Sequence, residues 1–168
     1  CRALEWAWAV LPEEDRGRRL VQLQEATQVG PPVLRYPFMS GPQARLLVER
    51  GFDVEPHGDT HCSLLAEGQY RVRDEVQRSA QHVRNLTGRE PCCLAWPYGH
   101  VPATRALAEE ALAAGGLQAG LGVKTGWNDE RADRVVLRRW DLHGGYSVEA
   151  VQARLSGFTS WLRPEGGA

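Results

Sequence analysis

The feature that most constrains the fold is a long amphipathic segment that stops at a glycine and leads directly into a short apolar run. Residues 69–86 place Val72 and Val76 on one helical face, so this spacing predicts a helix. Gly88 is positioned to end that helix, and the run CCLAW at 92–96 predicts a short buried strand. A helix that leads into a buried strand is the unit from which α/β folds are built.

The remainder of the chain repeats this alternation. A short helix is predicted to begin after Ser40, with Gln43 at the capping-box position and Gly51 at its end. The other predicted helices are 11–28, 104–114 and 147–161, and the other predicted strands are 52–57, 117–123 and 135–142. The order predicts an α/β fold built on a mostly parallel sheet or barrel, in which chemistry lies in loops just past the carboxyl ends of strands.

Length and composition narrow the class of protein. The chain has 168 residues, which predicts one domain over 1–168, and its formal net charge of −1 lacks the basic footprint of a nucleic-acid binder. No apolar run approaches the roughly 20 residues that a membrane span needs. The first residue is Cys1, which suggests a piece of a longer protein. Four cysteines are too few to choose between a cytoplasmic and a cell-envelope or extracellular location.

The segment EPHGDTHCSL, residues 55–64, carries the most specific chemistry. His57 and His61 stand four positions apart among turn residues, so a wrapped backbone would let both imidazoles chelate one ion. A zincin motif is excluded because Gly58, and not glutamate, follows the first histidine. The spacing alone also fits two histidines with a purely structural, hydrogen-bonded role, and that alternative stays open.

Three further segments give this loop a context. The stretch 51–64 resembles the second motif of the polysaccharide deacetylase family, also called the NodB-homology or carbohydrate esterase family. Residues 87–91 (TGREP) and 97–99 (PYG) resemble the approach to its third motif and that motif itself. Residues 137–157 (LRRWDLHGGYSVEAVQARLSG) are similar to its exopolysaccharide-linked branch. These four matches occur in the family's order.

The resemblance implies a fold and an activity. The fold would be a partial or distorted (β/α) barrel that lacks the first strands. His57 and His61 would bind a divalent metal, most often zinc, which acts as a Lewis acid toward an acetamide carbonyl. The implied reaction is metal-dependent hydrolysis of N-acetyl groups from the amino sugars of a polysaccharide or oligosaccharide.

The same resemblance assigns roles to the turn that follows the predicted strand. Trp96, Pro97, Tyr98 and Gly99 would contact substrate, and the backbone N–H of Tyr98 would stabilise the developing oxyanion as the catalytic contribution of this turn. Without the companion motifs, the same four residues would be interpreted as an ordinary Pro-Gly turn that packs an aromatic ring.

One motif of the family is missing. Its Thr-Phe-Asp-Asp-Gly segment supplies a general base and a third metal ligand, and no Asp-Asp-Gly occurs in this chain. Either the motif precedes Cys1 in a longer protein, which we favour, or the chain is a non-catalytic relative that serves as a carbohydrate-binding module. Asp59 and Glu55 are the nearby carboxylates, but the sequence does not indicate their orientation.

The remaining histidines and one cysteine are given minor roles. His82 is expected on the solvent face of its helix and His143 in a loop, whereas His100 is an alternative lining residue because it follows the turn. Cys62 replaces a proline that is usual in the family and is expected to fill a small buried apolar position.

Overall fold

The computed structural model describes residues 11, 13–28, 38–65, 67–142 and 144–157. Within these ranges, three consecutive helices are followed by two short strands that alternate with two further helices. In chain order the elements are α1 (Glu13–Thr27), α2 (Gly41–Glu49), α3 (Gln69–Thr87), β1 (Cys93–Ala95), a single 3-10 turn (Pro97–Gly99), α4 (Arg105–Ala114), β2 (Ala119–Leu121) and α5 (Val148–Leu155).

The two strands form a parallel pair that is connected through α4. Cys93 is paired with Ala119, and Ala95 with Leu121. A parallel pair needs such a crossover because its strands run in the same direction. The carboxyl ends of both strands therefore lie at the same edge, and the turn at Pro97–Gly99 leaves β1 at that edge.

Two segments predicted to be strands flank this pair without becoming strands. At residues 52–57 the pairing is limited to one hydrogen bond from Ala95 N–H to the carbonyl of Pro56, because proline has no N–H to return. At residues 135–142 only an isolated parallel bridge joins Leu137 to Leu121. The prediction of regular strands there is wrong, although both segments lie beside the sheet.

The core lies between the sheet and the helices α3 and α4. Leu94 and Trp96 are fully buried there, and the Trp96 indole N–H donates to the carbonyl of Val135 at 2.7 Å. Gly120 of β2 makes this packing possible, since a Cβ at this position would lie 2.2 Å from the indole nitrogen. The remaining members of the buried cluster are Cys62, Leu64, Val72, Val76, Ala80, Ala108, Ala111, Leu112, Leu117 and Val135.

Local capping signals explain most helix ends. Gly88 ends α3 in the left-handed conformation, with φ 71°. Thr104 and Ser147 accept hydrogen bonds from backbone amides in the first turns of α4 and α5. The predicted extension of α5 is wrong, because the chain leaves the helix after Leu155; Trp161 lies outside the described residues.

The ends of α2 follow the predicted pattern, since Ser40 N–H donates to the Gln43 side chain at 2.8 Å and Gly51 follows with φ 87°. None of the described helices combines the length and apolar character that crossing a bilayer requires.

Candidate functional site

The histidine loop, residues 55–64, has no regular secondary structure and brings its two imidazoles together. The Nε2 atoms of His57 and His61 are 3.2 Å apart, and the ring planes meet at 75°. His61 has φ 56°, a left-handed conformation that costs a non-glycine residue about 1–3 kcal/mol and that often occurs at functional sites. Gly58 also has positive φ, and a Cβ there would lie 3.0 Å from the ring of Pro97.

The end of β1 fixes the protonation pattern of His57. Its Nδ1–H donates to the carbonyl oxygen of Ala95 at 2.8 Å. A carbonyl oxygen can only accept, so Nδ1 carries the proton and Nε2 of the neutral ring keeps its lone pair. Histidines that bind metals are typically oriented through their second nitrogen in this way.

The environment also favours a neutral His61. Partial burial lowers the pKa of this imidazole below its ordinary value, and the nearby His57 lowers it further. A neutral ring is the form that can donate a lone pair to a cation.

The spacing of the two nitrogens is suited to one shared metal ion. Nitrogen ligands lie about 2.0–2.1 Å from zinc, so two of them on a tetrahedral ion are separated by roughly 3.3 Å. The observed separation of the His57 and His61 Nε2 atoms is 3.2 Å. The residues present therefore fit a divalent metal as two of its ligands.

Glu75 of α3 holds the backbone between the two histidines. Its carboxylate accepts hydrogen bonds from the N–H groups of Asp59 and Thr60, both at 2.9 Å, and from the Thr60 hydroxyl at 2.7 Å. The Glu75 side chain is only 2% exposed and forms an ion pair with Arg71 at 2.9 Å. Because α3 is anchored in the core, this carboxylate fixes the loop to a rigid element.

The sequence contains a signal for the role of Glu75, which is not among the predicted site residues. The residue lies between Val72 and Val76 on the buried face of α3, where a carboxylate is out of place unless it has partners. A charged residue in an apolar stripe predicts a local hydrogen-bond network, although it does not name the partner.

The turn after β1 meets the histidine loop at Tyr98. The ring centroids of Tyr98 and His61 are 4.7 Å apart with the planes at 68°, so the two rings contact each other edge to face. Tyr98 has φ 59° and Gly99 has φ 73°, so two consecutive residues adopt the left-handed conformation. His100 follows with its ring 5.8 Å from that of Tyr98, and its Nδ1 is 2.8 Å from the Ser63 hydroxyl.

Two of the predicted substrate contacts are covered by protein. Trp96 and Pro97 are both fully buried. A side chain without exposed surface supports the turn from the core side and presents no face to a sugar, so the structure leaves Tyr98 and Gly99 as the accessible part of the predicted set.

The nearby carboxylates do not complete a metal site. The Glu55 side chain accepts hydrogen bonds from the N–H groups of Cys92 and Cys93. The Asp59 carboxylate oxygen Oδ1 lies 3.7 Å from Nδ1 of His82. Within the described ranges, no group of three potential metal-binding side chains is present.

The minor assignments have mixed outcomes. Cys62 is fully buried in the core as expected, and burial raises the pKa of its thiol. The His82 side chain is exposed on α3, as expected. Cys92 and Cys93 are free thiols, and burial raises the pKa of the Cys93 thiol to about 11. His143 lies outside the described residues.

Comparison with known proteins identifies what this architecture is similar to. The family model described as polysaccharide deacetylase matches residues 39–117, which include both histidines, Glu75 and the turn. No curated protein matches the chain.

Solved structures share the fold. The polysaccharide deacetylase BC0361 from Bacillus cereus is 21% identical with a TM-score of 0.56, and the match covers 73% of this chain and 38% of that one. The deacetylase domain of BpsB from Bordetella bronchiseptica is 24% identical with a TM-score of 0.52, over 64% of this chain and 52% of that domain. The deacetylase PplD from Streptococcus pyogenes, in complex with acetate, is 14% identical with a TM-score of 0.60, and the match covers 72% of this chain and 52% of that one.

These similarities confirm the expected fold class, a partial (β/α) barrel of mixed helices and strands. The chain spans about 38 to 52% of the length of these three proteins.

Proposed function

Since residues 39–117 belong to the polysaccharide deacetylase family, we propose that this chain supplies the metal-binding histidines and the oxyanion turn of an enzyme that hydrolyses N-acetyl groups on amino sugars of a polysaccharide. The substrate class is an N-acetylated polysaccharide or oligosaccharide, and the metal is zinc. We further propose that residues 1–168 form one domain.

One observation carries this proposal. The Nε2 atoms of His57 and His61 converge to 3.2 Å in a loop whose backbone is fixed by Glu75, and the Tyr98 ring contacts His61. The left-handed conformation of His61 supports a functional constraint at this position, because a residue other than glycine adopts it at a cost in free energy.

Each residue has a defined task in this proposal. His57 and His61 hold the metal, which would supply a Lewis acid for the acetamide carbonyl. Ala95 and Glu75 keep the two imidazoles oriented, the first through the His57 ring and the second through the loop backbone. The N–H of Tyr98 is the donor that we assign to the developing oxyanion.

The general base remains outside this assignment. Glu55 is engaged by the amides at the start of β1, and Glu75 is buried against the loop. Neither carboxylate is positioned to accept a proton from a nucleophile near the histidines. The Asp-Asp-Gly segment that would provide a base is not among the 168 residues. The second candidate function, a non-catalytic carbohydrate-binding module, would not need that base.

Zinc titration tests the metal site directly. We expect calorimetry to show one zinc ion per wild-type chain and affinity at least tenfold weaker for His57→Ala and for His61→Ala. His82→Ala is the matched control, because its side chain is 81% exposed on α3 and is not part of the converging pair. Equal zinc affinity in wild type and both loop variants would contradict the assignment and would support a structural role for the pair.

A further inference from the structure

A cavity of about 570 Å³ lies beside the turn that carries Tyr98. Gly99 and Val123 line it at the turn, and Trp127 lines it on the loop that follows β2. This volume is within the range of small-molecule binding sites. The cavity is separate from the residues that hold the proposed metal.

The turn is shared by the cavity and the histidine site. A Cβ on Gly99 would lie 2.7 Å from the Val123 methyl groups, so the turn packs directly against the cavity wall. The residue before Gly99 is Tyr98, whose ring contacts His61. Adjacent residues of one turn therefore face the cavity and contact the histidine pair.

Trp127 provides an apolar surface inside the cavity. Its side chain is 55% exposed, although tryptophan usually buries most of its large ring. Trp140 packs against it edge to face, with ring centroids 5.9 Å apart and planes at 65°. The contact holds the Trp127 ring in place and leaves part of it open.

Hydrogen bonds make the loop around Trp127 rigid. The Asn128 side chain donates to the carbonyl of Arg138 at 2.8 Å and accepts from the N–H of the same residue at 2.9 Å. Arg139 N–H also donates to the carbonyl of Lys124 at 3.0 Å. A binding surface that is already ordered loses little entropy when a ligand arrives.

We propose that this cavity binds a second pyranose ring of the same polysaccharide, stacked on the exposed face of Trp127. The inference rests on the proposed function. A pyranose has an apolar C–H face and hydroxyl groups around its edge. The indole of Trp127 can stack on the apolar face. Polar residues of the cavity wall, such as Lys124 and Asp129, can form hydrogen bonds with the hydroxyl groups.

Oligomers of different length test the subsite. The probes are N-acetylglucosamine and its β-1,4-linked tetramer, measured by calorimetry with the intact 168-residue chain. We expect the wild type to bind the tetramer more tightly than the monomer. Trp127→Ala should lose roughly tenfold in tetramer affinity, which corresponds to about 1.4 kcal/mol, and its monomer affinity should not change. Trp127→Phe should retain part of the difference in affinity between tetramer and monomer.

Tyr70→Ala is the matched control, because Tyr70 is an aromatic residue that is 86% exposed on the first turn of α3 and does not line the cavity. Thermal melting checks that each variant is folded. Equal tetramer affinity in folded Trp127→Ala and wild type would overturn the proposal, as would a wild type that binds monomer and tetramer equally.

The outcomes separate this subsite from the proposed function. Zinc binding is measured on the same Trp127→Ala preparation, where it should be unchanged. A wild type that binds zinc but binds the monomer and the tetramer with equal affinity overturns the subsite alone. A length effect that depends on Trp127, in a wild type that binds no zinc, supports the subsite and contradicts the metal assignment.

Discussion

At the scale of single residues, left-handed backbone is concentrated where the histidine loop meets the turn. His61 and Tyr98 adopt this conformation with side chains that disfavour it, and Gly58 and Gly99 adopt it beside them. Such strain persists only when the surrounding contacts maintain it. In this chain those contacts are the Glu75 carboxylate on one side and the packing of Gly99 against Val123 on the other.

Substituting Gly99 tests how much this junction contributes to stability. Gly99→Ala adds a methyl group 2.7 Å from Val123 at φ 73°, so it introduces both a steric overlap and a backbone penalty. Gly88→Ala is the control, since φ is 71° there and no atom lies within 4 Å of the added carbon. We expect Gly88→Ala to lower the free energy of unfolding by about 1 kcal/mol and Gly99→Ala by about 2–4 kcal/mol.

Urea denaturation of both variants measures the difference. Equal losses of unfolding free energy would mean that Val123 can move aside, and that the turn and the cavity wall are not tightly packed.

The convergence of the two histidines was easier to predict than the groups that orient them. Two histidines four positions apart in a turn can be brought together by the local backbone alone. Trp96 was predicted to contact substrate, but its side chain is buried. The sequence could not show this, because a tryptophan beside a proline has the same local sequence in a core as in a cleft. Glu75 was missed because its partners lie 15 and 16 positions away in the chain.

At the scale of secondary structure, the helices were predictable and half of the strands were not. The ends of α3 and α4 follow from Gly88 and Thr104, which act within a few residues of the helix they end or begin. Strands depend on partners that are distant in sequence. Residues 52–57 and 135–142 have strand-like composition but find too few backbone partners to become regular strands.

Glu75 joins α3 to the histidine loop, so substituting it should affect metal binding as well as stability. Glu75→Gln removes the charge that balances Arg71 and the two loop amides, and it replaces one acceptor oxygen by a donor. We expect the free energy of unfolding to fall by about 1–3 kcal/mol and zinc affinity to fall severalfold in the folded variant.

Asp74→Asn is the control for this prediction. Asp74 is the adjacent acid on the same helix, but it is half exposed and pairs with Arg78 at the surface, so its removal should cost about 0–1 kcal/mol and leave zinc affinity unchanged. If folded Glu75→Gln binds zinc like the wild type, Glu75 stabilises the fold without positioning the histidines.

At the scale of the whole molecule, the question is whether the chain can complete a reaction. It provides two converging imidazoles and the Tyr98 turn that we propose as the oxyanion donor, while the carboxylates of Glu55 and Asp59 have other partners. The match to solved deacetylase structures extends over about half of those chains or less. Binding and turnover are therefore expected to separate in this protein.

An assay of acetate release tests that separation. The assay contains zinc and a β-1,4-linked N-acetylglucosamine oligomer as substrate. We expect the 168-residue chain to bind the oligomer but to release acetate no faster than His57→Ala. The reason is that no described carboxylate is placed to act as the base. Turnover well above that control would contradict this account and would implicate a carboxylate within the chain. Two variants, Asp59→Asn and Glu55→Gln, would then identify that carboxylate. Loss of turnover in Asp59→Asn would indicate that the Asp59 carboxylate moves from His82 toward the histidine pair. Loss of turnover in Glu55→Gln would indicate that Glu55 leaves the amides of β1 during the reaction.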